Sequence, residues 1–171
     1  GRSLVGGWCS GLSDAVVCAT APELELGYDP ESTREGRRHK EATTTAGILA
    51  DVQASIDWLR QALGSRDQPL RITVVGFCFG GHAALLAATL ADVQVSLDFY
   101  GAGVSRGRPG GGAPSLELLP SVQGELHCLC GSIDPLIPCS DQQAIQAALQ
   151  TQDPTGMRLR YSAFEGADHG F

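Results

Sequence analysis

The 171-residue chain lacks a C-x-x-C pair, a long apolar run and an excess of basic residues. The missing C-x-x-C pair leaves zinc binding and thioredoxin-like redox chemistry with little support. The formal net charge of -7 disfavours nucleic-acid binding, because phosphate backbones are bound by an excess of lysine and arginine. No apolar run approaches the roughly 20 residues of a membrane span, and no signal-peptide pattern opens the sequence. We therefore expect a cytoplasmic protein without nucleic-acid or membrane partners, whose oligomeric state the sequence does not predict.

Composition indicates an ordinary globular protein, with 43% hydrophobic and 18% charged residues. Residues 1–171 are predicted to form a single domain, since this length can bury a hydrophobic core. The cysteines are scattered, which suits a reducing compartment in which most of them are small buried apolar residues. They are Cys9, Cys18, Cys78, Cys128, Cys130 and Cys139. Only Cys78 stands in a pattern that indicates another role.

Predicted strands alternate with predicted helices along the chain, which favours an α/β fold with a mainly parallel sheet. Apolar patterns predict strands over residues 14–19, 71–75, 93–100, 125–130 and 157–163. Helices are predicted over residues 43–63, 79–91 and 141–150. The charged segment over residues 28–41 is predicted to be a solvated connection, with a binding patch as the less favoured alternative.

A nucleophile-elbow pattern carries the functional signal. Residues 76–81 read Gly-Phe-Cys-Phe-Gly-Gly, directly after a predicted strand and before a predicted helix. This is the Gly-x-Ser-x-Gly pattern with cysteine in place of serine, and it makes Cys78 a candidate nucleophile. Gly76, Gly80 and Gly81 are predicted to permit the sharp turn. The backbone N–H of Phe79 is the predicted oxyanion-hole donor.

The base and its orienting acid are expected to follow later strands, because active sites of open α/β sheets lie at the carboxyl ends of the strands. His169 stands in a glycine-flanked loop after the last predicted strand and is the predicted base. His82 is predicted to be a packed or surface residue of a helix, and His127 is predicted to be a residue of a strand. Asp134 follows the preceding strand and is predicted to orient His169, whereas Asp168, the alternative, is disfavoured because adjacent side chains rarely face each other.

Three blocks in this order resemble the signature blocks of the dienelactone hydrolase family (carboxymethylenebutenolidases) of the α/β-hydrolase fold. They are residues 76–81, residues 131–138 (Gly-Ser-Ile-Asp-Pro-Leu-Ile-Pro) and residues 167–171 (Ala-Asp-His-Gly-Phe). The resemblance implies a three-layer sandwich and a triad of Cys78, Asp134 and His169. It also implies hydrolysis of a small ester or lactone through an acyl-thioester, without cofactor or metal.

The chain departs from the family pattern at three places. Residues 1–13 carry no Gln-Glu-like motif, which in the family supplies the second oxyanion-hole donor. Glu25 to Tyr28 stand where the family has a carboxylate-binding arginine, and Arg34 is a weak substitute. The sequence also ends at Phe171, before the position of the family's usual C-terminal helix, so the resemblance implies either a fragment or a divergent, shortened relative that lacks the N-terminal strands and this helix. A non-catalytic relative that binds a ligand or a partner is the alternative function. A redox-sensing thiol protein is a third one, although the elbow holds no resolving cysteine.

Overall fold

The structure is a computed structural model that describes residues 5–7, 16–18, 29–63 and 69–171. Strands β1 (Val5–Gly7) and β2 (Val16–Cys18) form an antiparallel pair. The pair confirms the middle of the strand predicted over residues 14–19. Cys9 and the segment over residues 19–28 lie outside the described residues.

The remaining elements are α1 (Pro30–Ala42), α2 (Thr45–Leu63), β3 (Ile72–Phe77), α3 (Phe79–Ala87), β4 (Val93–Phe99), a 3₁₀ helix (Ser115–Ser121), β5 (Glu125–Gly131), α4 (Cys139–Gln152) and β6 (Leu159–Phe164).

Among the residues that the structure describes, the main sheet contains four parallel strands in the order β3-β4-β5-β6. This confirms the predicted α/β class with a parallel sheet. Because the strands are parallel and paired in sequence order, their carboxyl ends meet at one edge of the sheet, and the loops that follow them share that edge. Within the described ranges, no helix combines the length and the hydropathy needed to cross a bilayer.

One face of the sheet packs against helices and forms the core. Leu126, Cys128 and Cys130 of β5 point to this face and belong to a buried cluster with α3, the 3₁₀ helix and α4. Val74 shares this face, because it pairs with Ser96, which donates a hydrogen bond to the carbonyl of Ala84 in α3. Val74 in turn packs against the smaller cluster that contains Ile56 of α2. Buried Cys128 and Cys130 confirm the expected packing role of these two thiols.

The opposite face of the sheet is open among the described residues. Val75 and Phe77 are 47% and 56% exposed, and Phe164 is 43% exposed. Since α2, α3, the 3₁₀ helix and α4 all pack on the first face, the described ranges contain two of the three expected layers.

The charged segment over residues 28–41 is not a connection, because residues 30–42 form helix α1. Asp29 caps the helix: its Oδ1 accepts hydrogen bonds from the backbone N–H groups of Glu31 and Ser32. Pro30 occupies the first helical position, which suits its fixed φ. The helix buries no residue, so its sequence carries no apolar periodicity from which a helix could be predicted. The Asp-Pro pair was the available signal, because aspartate before proline is typical of a helix start.

Candidate active site

Cys78 stands in a strained turn between β3 and α3. Its backbone has φ 55 and ψ -120, a region that residues other than glycine rarely adopt and that costs about 1–3 kcal/mol. Hydrogen bonds on both sides hold it there: Cys78 donates its N–H to the carbonyl of Phe99 at 3.0 Å, and the N–H of His82 donates to the carbonyl of Cys78 at 3.2 Å. Cys78 is exposed. Cys78 is thus an exposed residue in a strained turn at the carboxyl end of β3.

Two of the three elbow glycines are required by close packing. A Cβ on Gly76 would lie 1.8 Å from the carbonyl oxygen of Gly80. A Cβ on Gly81 would lie 2.5 Å from the Asp98 carboxylate and 2.5 Å from the Phe99 carbonyl. At Gly80 a Cβ would meet no atom within 4 Å, so packing gives no reason for glycine there. The strand and helix therefore cross closely at Gly76, and the helix approaches β4 at Gly81.

Asp134 and His169 are in direct contact. His169 Nδ1 lies 2.8 Å from Asp134 Oδ2, and the Asp134 side chain is fully buried. The other oxygen, Oδ1, accepts the N–H of Leu136 at 2.8 Å. The Asp168 carboxylate accepts the backbone N–H of His169 at 2.6 Å, whereas the hydrogen bond to the ring comes from Asp134. A carboxylate at Nδ1 favours the tautomer that leaves Nε2 unprotonated.

The loops after β5 and β6 are joined by hydrogen bonds, which explains why Asp134 meets a residue 35 positions away. The N–H of Ser132 donates to the carbonyl of Phe164 at 2.9 Å, and the N–H of Ile133 donates to that of Ala167 at 3.1 Å. The Ser132 hydroxyl accepts the N–H of Gly166 at 2.9 Å. These bonds continue the parallel pairing of β5 and β6 beyond the strands.

The end of β4 connects the elbow to this pair. The Phe99 carbonyl accepts the N–H of Cys78, and the next ring, Tyr100, lies 4.9 Å from the His169 ring in an edge-on arrangement. Phe171 packs on Tyr100 with ring centroids 5.3 Å apart. His169 Nε2 is buried and has no hydrogen-bond partner among the described residues. The structure therefore brings all three predicted residues to one edge, with Asp134 and His169 bonded and Cys78 not hydrogen-bonded to His169.

His82 lies in helix α3 and His127 in strand β5, as predicted, and both are hydrogen-bonded to other residues. His82 Nδ1 lies 3.1 Å from the Ala102 carbonyl, and Nε2 lies 2.7 Å from the Ser115 hydroxyl. Burial lowers the pKa of His82, and the positive charge of Lys40 lowers this pKa further. His127 Nε2 lies 2.8 Å from the Ser162 hydroxyl across β5 and β6.

Lys40 is a neighbour of the elbow that sequence reasoning missed. Its Nζ lies 5.6 Å from the centroid of the Phe79 ring, within the range of a cation–π contact. The contact joins the last turn of α1 to the residue that follows Cys78. No local pattern relates these two positions, so only the path of the chain reveals their contact.

Comparison with known proteins identifies the family of this chain. The sequence model of the "Dienelactone hydrolase family" matches residues 7–171. A "Putative carboxymethylenebutenolidase" of Synechocystis sp. is 35% identical over 160 residues, which are 94% of this chain and 63% of the relative. The "Carboxymethylenebutenolidase" of Pseudomonas putida is 24% identical over 95% of this chain and 66% of its own length.

Among solved structures, the fold resembles that of a Klebsiella pneumoniae "Putative Dienelactone Hydrolase". The TM-score is 0.63 at 22% identity, over 75% of this chain and 51% of that chain. The chain thus spans less than two thirds of the length of each of these relatives. The match over residues 7–171 shows that this chain belongs to the dienelactone hydrolase family.

Proposed function

We propose that this protein hydrolyses a small ester or lactone with Cys78 as nucleophile, His169 as base and Asp134 as the residue that orients His169. The contact between His169 Nδ1 and Asp134 Oδ2 at 2.8 Å carries the proposal. It leaves His169 Nε2 buried, without a hydrogen-bond partner in the part of the chain that the structure describes, at the same edge of the sheet as the exposed thiol. A nucleophile, a base with a free nitrogen and a buried carboxylate behind the base form the arrangement that covalent acyl transfer needs.

In the first half of the reaction, His169 Nε2 accepts the proton of the Cys78 thiol, and the thiolate attacks the substrate carbonyl. The oxyanion accepts a hydrogen bond from the N–H of Phe79. When the tetrahedral intermediate collapses, the carbon–oxygen bond breaks and His169 donates its proton to the leaving oxygen. The acyl group remains on sulfur as a thioester.

In the second half, His169 Nε2 takes a proton from water, and the resulting hydroxide attacks the thioester. Collapse releases a carboxylic acid and returns the proton to the Cys78 sulfur. Asp134 keeps the proton of His169 on Nδ1 throughout and stabilises the transient imidazolium. Every proton in this cycle moves between groups of this chain, water and substrate.

The surroundings of Cys78 favour the negative charge that develops on the substrate oxygen during attack. Cys78 immediately precedes α3, whose N-terminal dipole stabilises negative charge. Lys40 adds a positive charge above the Phe79 ring. Both features stabilise an oxyanion next to the Phe79 N–H and therefore support attack on the substrate carbonyl.

The substrate class follows from the family and the site. One matching Bradyrhizobium protein is named "Probable 2-oxo-3-(5-oxofuran-2-ylidene)propanoate lactonase", and the Pseudomonas relative is a carboxymethylenebutenolidase. From these names we take one feature for the proposed substrate of this chain, namely the ester bond of a small lactone. The rings of Phe99, Tyr100 and Phe171 near His169 offer an apolar surface for such a ligand.

The test compares two exposed cysteines. Cys78→Ala is expected to lower hydrolysis of p-nitrophenyl acetate and of a simple butenolide by at least about 1,000-fold. Cys139→Ala, which removes the second exposed thiol among the cysteines whose side chains the structure describes, is the matched control and is expected to retain wild-type rates. A thiol-reactive ester probe is expected to label Cys78 in the intact protein, as read by mass spectrometry. Full hydrolysis by Cys78→Ala would overturn the proposal.

A non-catalytic ligand-binding protein is the second candidate, and the absence of a hydrogen bond from Cys78 to His169 Nε2 favours it. This candidate predicts saturable lactone binding by calorimetry without turnover and without selective labelling of Cys78. Hydrolysis that depends on Cys78 excludes it.

A further inference from the structure

A buried carboxyl lies beneath the proposed site and has no role in the steps above. Asp98 of β4 is 2% exposed and points to the helix-covered face of the sheet, beside Cys128 of β5. Its Oδ1 accepts the N–H of Gly101 at 2.8 Å, which closes the turn over residues 98–101. Burial of a carboxyl group costs free energy unless other groups compensate for it. The residues that Asp98 contacts should therefore explain why it is buried.

Asp98 fills the space between the elbow helix and this turn. A Cβ on Gly81, in the first turn of α3, would lie 2.5 Å from Asp98 Oδ1. A Cβ on Gly101 would lie 2.2 Å from the same oxygen and 2.6 Å from the N–H nitrogen of His82. Two glycines therefore make room for one carboxyl oxygen. The arrangement connects the helix that begins after Cys78 to the turn that follows β4.

The 98–101 turn controls the position of Tyr100. Tyr100 has φ 42, a left-handed conformation that is unfavourable for a tyrosine. Two hydrogen bonds hold it: Gly101 donates to Asp98 on one side, and the N–H of Tyr100 donates to the Leu129 carbonyl at 2.8 Å. In this conformation the Tyr100 ring stands edge-on to the His169 ring, with centroids 4.9 Å apart.

We propose that Asp98 is a positioning residue of the site, which acts by holding the 98–101 turn so that the Tyr100 ring packs against the His169 imidazole. A single hydrogen bond from Nδ1 to Asp134 fixes one end of the imidazole but lets the ring rotate about that bond. The Tyr100 ring, in contact with the imidazole, restricts this rotation and so limits the positions that Nε2 can take. This inference rests on the proposed function and adds the residue that supports the orientation of its base.

The test uses three variants of the whole chain. Asp98→Ala removes the acceptor of the Gly101 N–H and is expected to lower kcat about 10- to 100-fold. KM is expected to change less than about threefold, because the variant misplaces the base but leaves the binding of the substrate unchanged. Asp98→Asn keeps a carbonyl oxygen for Gly101 and is expected to restore kcat to within about fivefold of wild type. Ser96→Ala is the matched control: it removes an equally buried polar group from the same face of β4 and is expected to keep wild-type kcat.

A second readout does not depend on turnover. In ¹⁵N-histidine-labelled protein, the Nδ1 proton of His169 is expected to exchange faster with water in Asp98→Ala than in wild type, and at the wild-type rate in Ser96→Ala. Since this signal is present even if Cys78→Ala retains hydrolysis, failure of the proposed function and failure of this inference are distinguishable.

Tyr100→Leu covers the case in which Asp98→Ala does not fold. This variant leaves Asp98 in place but removes the aromatic ring that contacts His169. It is therefore expected to show the same fall in kcat and the same faster exchange of the His169 Nδ1 proton. Circular dichroism identifies the folded variants. Wild-type kcat and exchange in folded Asp98→Ala or in Tyr100→Leu would overturn the inference, as would an equal loss in Ser96→Ala.

Discussion

The buried carboxyl of Asp98 predicts an unusual dependence of stability on pH. Burial raises the pKa of Asp98 from 3.8 to about 7, and the hydrogen bonds from Gly101 and Cys128 offset this only in part. Between these two pKa values the folded protein keeps a proton that the unfolded chain has lost. The free energy of unfolding contributed by this group therefore falls as pH rises from 4 to 7, the opposite of a salt-bridged aspartate.

The size of the effect follows from the two pKa values. With 3.8 for the unfolded chain and about 7 for the folded protein, the Asp98 contribution falls by about 3 kcal/mol between pH 5 and pH 8. Asp98→Asn cannot titrate and keeps an acceptor for the Gly101 N–H, so it is expected to lose this dependence. Its free energy of unfolding relative to wild type should therefore rise by about 3 kcal/mol over the same interval.

Urea unfolding at pH 5, 6, 7 and 8 measures this difference, because subtraction of the two proteins cancels the histidines and other groups that they share. Ser96→Ala is expected to follow the wild-type pH dependence. Parallel curves for wild type and Asp98→Asn would refute the reasoning, since they would show that Asp98 has the same pKa in the folded and unfolded states.

The remaining predictions concern the elbow and the base. Gly76→Ala is expected to lower the free energy of unfolding by about 3 kcal/mol or more, because its Cβ would overlap the Gly80 carbonyl, whereas Gly80→Ala is expected to change it by less than about 1 kcal/mol. Urea unfolding compares the two, and equal losses would contradict the packing argument. Asp134→Asn is expected to lower kcat by at least about 1,000-fold, because an amide facing Nδ1 favours the wrong tautomer of His169, while Asp168→Asn is expected to stay within about threefold. Steady-state kinetics decides this, and the reverse order would assign the orienting role to Asp168.

Local patterns were sufficient for much of the fold. The apolar period over residues 43–63 predicted α2, and the four β-branched or apolar runs predicted β3 to β6. These signals are strong because each element buries one face, and burial imposes the period on the sequence. Helix α1 buries no residue, so the sequence indicates its start only through the capping residue Asp29 and through Pro30 at the first helical position. A search for core periodicity cannot find such a helix.

The sequence by itself determined the family, the elbow around Cys78 and the short set of acids and histidines that are candidates for the site. Each of these signals lies within a few neighbouring residues and can therefore be recognised without the fold. Only the tertiary structure decided that Asp134 rather than Asp168 contacts the His169 ring, that Lys40 lies over Phe79, and that Asp98 sits between Gly81 and Gly101. Each of these contacts joins positions from different elements, and the separation of such positions in space depends on sheet order and loop pairing rather than on any local pattern.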